Sequence, residues 1–231
     1  MLDEPTLDPT RQSLDRRLID ALSAALAHRL AAGRPPSPDA EALMLRDLLD
    51  QAGDPARKTV LKALFGRLAA QTSAPPIACG PRAQVLAADR FGPPRTAETP
   101  EAALDAIADD TRALIDLAAA RPWWGRLLAR PDLRVIAALP DEPATLPQAL
   151  LVAAAQPGPT GDDRTFWVTD SALPEARIVE ALVAVGLSAR PLAASGGLKL
   201  FALAGYVQGE DGRLDQAPGS LKGVIGAAPV F

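Results

Sequence analysis

The chain has 231 residues, 48% of them hydrophobic, enough to bury a core in one large domain or two small ones. Its formal net charge of −4 argues against nucleic acid or a polybasic membrane contact as a standing partner. The single cysteine, Cys79, excludes an intrachain disulfide and any thiolate cluster for a metal, and the single histidine, His28, has no supporting nucleophile motif around it. The first residues, Met1-Leu-Asp-Glu-Pro-Thr-Leu-Asp8, lack the basic and apolar segments of a signal peptide, and no apolar run approaches the roughly 20 residues of a membrane span. A soluble, cytoplasmic protein with no metal and no cofactor is expected.

Arg11 to Arg29 reads as one amphipathic helix, with Leu14, Leu18, Leu22, Ala25 or Leu26, and Leu30 recurring at spacings of three or four. Gly33-Arg-Pro-Pro-Ser-Pro38 breaks it, and Ser37-Pro38 suits the start of a second helix that runs to about Gln51 and stops at Gly53. Asp54-Pro55 opens a third, with Val60, Leu61, Leu64, Phe65 and Leu68 on its apolar face. Ser73-Ala-Pro-Pro-Ile77 reads as a linker, which sets a domain boundary between residues 74 and 75.

Beyond it, short apolar runs alternate with helical patterns. Helices are expected at 84–91, 100–107, 123–128 and 174–185, and strands at 111–117, 133–139, 148–154, 165–168, 189–194 and 199–206, with a tight turn at 209–212. This alternation favours an α/β or α+β module over a bundle. Cys79 reads as a small buried hydrophobe. Of the adjacent Trp123 and Trp124, one is expected in the core and the other at a domain or subunit interface, since neighbouring side chains diverge. Gly158-Pro-Thr-Gly-Asp-Asp163, with neither a lysine nor a following helix, is a loop.

The first three helices resemble the all-helical class of chorismate mutase. In that family two arginines on the first helix hold the substrate's carboxylates, a task suited to bidentate guanidinium forks. Arg11 matches the first; the second falls on His28, with Arg29 beside it. The family's second helix often begins Arg-Glu, and here Ala40-Glu41 stands there, followed by Arg46. Gln71 matches a late polar residue on the third helix. The resemblance implies that Arg11, His28, Arg29 and Glu41 are catalytic and that Arg46 and Gln71 bind substrate. The lysine that the family carries late on its first helix has no counterpart.

The remainder resembles a shortened prephenate dehydratase. Gln84–Gly92 is similar to the helix after that family's first strand, and Asp162-Asp-Arg-Thr-Phe-Trp-Val168 to its Thr-Arg-Phe segment in reversed order, which implies a substrate-binding role for Thr165. The βαββ series from Thr165 to Val207 also resembles an ACT-type regulatory module, with Arg190-Pro191 matching part of its effector motif.

Together these resemblances imply an α+β protein: a helical chorismate mutase-like unit at 1–74, then an α/β region at 75–231 ending in a small ACT-like sheet. A homodimer and a small chorismate-like carboxylate ligand are expected, with no nucleic-acid or membrane partner. Three functions stay open: conversion of chorismate to prephenate, a non-catalytic relative binding a carboxylated metabolite or a partner enzyme, or a dehydratase acting on prephenate through Thr165.

Overall fold

The computed structural model describes residues 9–31, 37–119 and 121–231. The chain divides into two compact units, Met1–Pro35 and Pro36–Phe231. The first contains α1 (Pro9–Ala31), with His28 and Arg29 in its last turn, where cations complement the helix dipole. The expected break at Gly33-Arg-Pro-Pro36 lies outside the described residues.

The second unit starts with α2 (Pro38–Ala52) and α3 (Pro55–Thr72). Both begin with proline just after the cap, as expected. Asp54 caps α3 by accepting from the Ala56 N–H at 3.1 Å. These helices fall in the same compact unit as the sheet. The reason is visible in their apolar faces: Ala42, Leu45 and Leu49 of α2, and Ala69 and Ala70 of α3, are buried within this unit.

Among the described residues, nine strands form one sheet in the order β2-β1-β3-β5-β4-β9-β6-β8-β7. Strands β1 (Ile77–Cys79), β2 (Arg95–Ala97) and β3 (Ala113–Asp116) run parallel, joined by α4 (Pro81–Phe91) and α5 (Pro100–Asp105). A 3-10 helix (Trp123–Ala129) leads to β4 (Arg134–Leu139), and β5 (Ala149–Ala153) lies antiparallel between β3 and β4. β3 and β5 are buried at every position, which is why they read as continuous apolar runs instead of alternating ones.

β6 (Asp163–Thr169), α6 (Glu175–Ala184), β7 (Ala189–Ser195), β8 (Leu198–Ala204), α7 (Gly212–Asp215) and β9 (Lys222–Pro229) then make a βαββαβ unit. Its strand order, β9-β6-β8-β7, is that of a split βαβ fold. The fold class is therefore mixed α and β, as expected. The ACT-like part is not a separate sheet, because β9 also pairs parallel with β4 through Val135 and Gly226. No helix among the described residues is long and apolar enough to cross a membrane.

Gly226 makes that junction possible. It pairs with Val135 on one side and Phe166 on the other, with φ at 141°, and a Cβ there would collide with the Val135 backbone N and O. Both neighbouring strands carry a register shift at this level. The strands β1, β2 and β9 were not among those expected from sequence.

The tryptophan pair departs from expectation. Trp123 and Trp124 are both 1% exposed in one core cluster, packed edge to face with ring centroids 6.1 Å apart. The short 3-10 helix that carries them is itself sunk into the core, so diverging side chains still meet apolar neighbours. Trp123 Nε1 donates to the Asp116 carbonyl at 3.0 Å, while Trp124 Nε1 has no partner among the described residues.

A buried ion cluster fastens α3 and α4 to the end of β4. Lys62 Nζ donates to Asp141 Oδ1 at 2.6 Å, and Arg90 Nη2 lies 3.1 Å from Asp141 Oδ2. Close packing accompanies it: a Cβ at Gly66 of α3 would overlap the Arg90 carbonyl oxygen of α4.

Two stability measurements follow from these contacts. Gly226→Ala should lose roughly 2–4 kcal/mol in urea unfolding, because backbone on the neighbouring strand cannot move aside, whereas Gly209→Ala, with nothing within 4 Å, should leave the midpoint unchanged. Asp141→Ala strands two buried cations and should cost roughly 3–5 kcal/mol. Glu180→Gln, in an exposed pair with Arg177, should have no measurable effect.

Candidate functional site

α4 covers part of one sheet face with small residues, Ala83 and Ala87, against Ala78, Leu114, Ala149 and Leu151. Beside it, α2 and α3 close over β4 and β5 and leave a cavity of about 80 Å³. Leu45, Phe65, Phe91, Ile136 and Phe231 make its wall largely apolar, while Glu41, Arg90, Arg112 and Asp141 bring charge to it.

Most of these charges answer one another. Asp141 takes Lys62 and Arg90, and Lys62 also reaches Glu142 Oε1 and the Phe231 carbonyl, both at 3.4 Å. Burial pushes the Arg90 guanidinium below the usual arginine range, and Asp141, Glu142 and Asp89 oppose that shift.

Arg112 is different. It stands just before β3, its Nη2 donates to Ser73 Oγ at 2.9 Å, and its guanidinium lies 5.7 Å from the centre of the Phe91 ring. Its Nε is buried and has no hydrogen-bond partner among the described residues. Burial lowers its pKa from the usual value, with the charge of Glu41 pulling the other way. A buried donor without an acceptor costs about 1–3 kcal/mol, so this group is poised to receive one. Arginine stays protonated in such surroundings. The arrangement is an apolar cleft with one under-used fork, suited to a carboxylate on a small hydrophobic body.

Of the residues expected from sequence, Glu41 lines this cavity on α2. Arg46, one turn further along α2, instead donates through Nη2 to Thr160 Oγ1 at 3.2 Å and to the Asp162 carbonyl at 3.1 Å. Its guanidinium also sits 5.3 Å from the Phe231 ring centre. Gln71 is exposed on α3. Thr165 is fully buried, and its hydroxyl donates to the Gly205 carbonyl and accepts from the Val207 N–H, each at 2.8 Å, so it braces β6 against the segment after β8. On α1, His28 is exposed and Arg29 half-buried, while the Arg11 side chain lies outside the described residues.

Lys62, Arg90, Arg112, Asp141 and Phe231 were not expected at a site. The lysine and arginines look like solvated helix or loop charges in sequence. The one available signal was Arg112, which directly precedes a fully apolar run and so had to be drawn toward the interior. Cys79 is a buried free thiol whose pKa is raised chiefly by burial. Among the described residues, no three His, Cys, Asp or Glu side chains cluster as a metal site.

No protein-family model matches this chain, and no curated protein matches it in sequence. Solved structures that share a general likeness include two of distant sequence. One, titled "GqqA- a novel type of quorum quenching acylases", is 15% identical over 68% of this chain and 96% of its own, with a TM-score of 0.44. The other, a prephenate dehydratase in complex with L-Phe from Arthrobacter aurescens, is 14% identical over 67% of this chain and 90% of its own, with a TM-score of 0.35. Likenesses this distant do not bear on the chemistry of the cavity.

Proposed function

We propose that this chain binds a small carboxylated metabolite in the cavity between α2, α3 and the sheet. The observation that carries the reading is Arg112: a buried guanidinium with a donor left unpaired beside aromatic and aliphatic walls. In this reading Arg112 takes the carboxylate, and Phe65, Phe91 and Phe231 flank the apolar body of the ligand. About 80 Å³ is room for roughly two or three waters. That is well under the ~300 Å³ of common ligand pockets, so a ring-bearing ligand requires α2 to move outward. The expected ligand class is the chorismate-like carboxylates.

A second reading, catalysis of the chorismate-to-prephenate rearrangement, is favoured by Glu41 lining the same cavity as Arg112. A carboxylate beside a cation matches what that rearrangement uses: fixed charges that orient the substrate and stabilise its transition state. Arg11, His28 and Arg29 of α1 belong to this second reading.

Thermal-shift measurements with chorismate, prephenate and phenylalanine separate the possibilities. Binding predicts a rise in Tm with at least one of them, lost in Arg112→Gln; no shift with any removes the proposal. Mutase activity predicts chorismate consumption above the uncatalysed rate, falling at least tenfold in Glu41→Gln, a loss typical of removing one positioned catalytic group. A rate equal to the uncatalysed one, alongside a positive shift, leaves binding as the function.

A further inference from the structure

A second cleft, of about 210 Å³, opens over β6, β7 and β8, where the βαββαβ unit meets the segment after β4. Pro143, Leu146, Arg164, Ser188, Arg190 and Val230 line it. The register brings its two arginines to one face. Phe166 pairs with Ala202 and Ala202 with Arg190, so these three stand in a row across β6, β8 and β7. Arg164, two residues before Phe166, points to the same side.

Neither guanidinium has a carboxylate of a described residue within ion-pair distance. Arg164 spends Nη2 on two backbone carbonyls, Glu142 at 2.7 Å and Pro143 at 2.8 Å, which fix the group without cancelling its charge. Its Nε and Nη1 donate to no described residue. The Arg190 side chain makes no hydrogen bond or ion pair with any described residue. Two carboxylates also line the cleft. Asp163 is turned onto the Thr160 N–H and hydroxyl at 2.8 and 2.7 Å, and Asp162 is exposed and outside ion-pair distance of both arginines. The Arg164 pKa is lowered first by burial and then by the like charge of Arg190, while Asp162, Asp141 and Glu142 pull the other way from beyond ion-pair distance.

We propose that this cleft binds the doubly charged oxyanion group of a small metabolite, a phosphate monoester or a pair of carboxylates, between Arg164 and Arg190. Two guanidinium forks with unused donors supply bidentate, charge-assisted bonds to such a group. The cleft holds roughly seven waters' volume, enough for the anionic group and a few further atoms. It shares no side chain with the first cavity and does not depend on the function proposed there.

Isothermal titration of the full chain with inorganic phosphate, and separately with malonate, tests this. Saturable binding of either supports the proposal and identifies which anion geometry fits. Arg190→Gln, at an exposed position that should leave Tm unchanged, should weaken binding about tenfold or more. Arg164→Lys keeps the charge but loses the fork, and should weaken it too. Glu180→Gln, on α6 outside the cleft, should leave it as it is. Failure of both anions to bind saturably, or wild-type binding by a folded Arg190→Gln protein, overturns the proposal.

Discussion

The second unit depends on one crossing, where β9 threads between β4 and β6 with Gly226 at its centre. Val135 backbone occupies the space a Cβ would need there. Because no side chain intervenes, the five strands of the first half and the four of the βαββαβ unit become one sheet. The consequence reaches the candidate site directly. β9 runs on from Gly226 to Pro229 and Phe231, and both line the cavity under α2 and α3. A slip at the crossing would move the aromatic wall.

Charge then decides which groups fasten and which remain for a ligand. Asp141 sits between Lys62 and Arg90 at hydrogen-bond distances, so two cations and one anion are consumed in holding α3, α4 and the end of β4 together. A buried ion set of this kind adds little net stability over apolar packing, but losing one member is costly. Arg112 has no such partner set; its hydroxyl contact with Ser73 and its ring contact with Phe91 leave the Nε donor unanswered. The difference between Arg90 and Arg112 is what separates a structural cation from a binding one in the same wall.

Elements with strong periodicity were legible in the sequence. α4 and α6 each bury one stripe, Ala83 and Ala87 or Ile178 and Leu182, and the apolar runs of β3, β4, β5, β6 and β8 fell where expected. β9 did not, and for a physical reason. Lys222-Gly-Val-Ile-Gly-Ala-Ala-Pro229 is rich in residues that disfavour strands, yet the glycine that hides it is what the crossing requires. Amphipathicity shows that a helix has an apolar face but not what covers it, and α2 and α3 cover the sheet. At the site, Glu41 was legible only through a family resemblance. Lys62 and Arg90 were not, because a buried ion pair between residues 79 or 51 positions apart has no local pattern.

The end of β9 also explains how two cavities can share a wall without sharing a side chain. In an extended strand successive residues face opposite ways. Pro229 and Phe231 accordingly line the cavity under α2 and α3, while Val230 lines the arginine cleft. Their backbones are tied to different neighbours: the Val230 N–H donates to the Asp162 carbonyl and the Phe231 N–H to the Asp141 carbonyl, each at 2.9 Å. The segment after β4 is divided in the same way, with Asp141 on the first cavity and the Glu142 and Pro143 carbonyls on Arg164. Two short stretches of chain, 141–143 and 229–231, thus separate an apolar cavity with one spare cation from an open cleft with two. A displacement of the Phe231 backbone must carry Val230 with it, since they are adjacent in one extended chain.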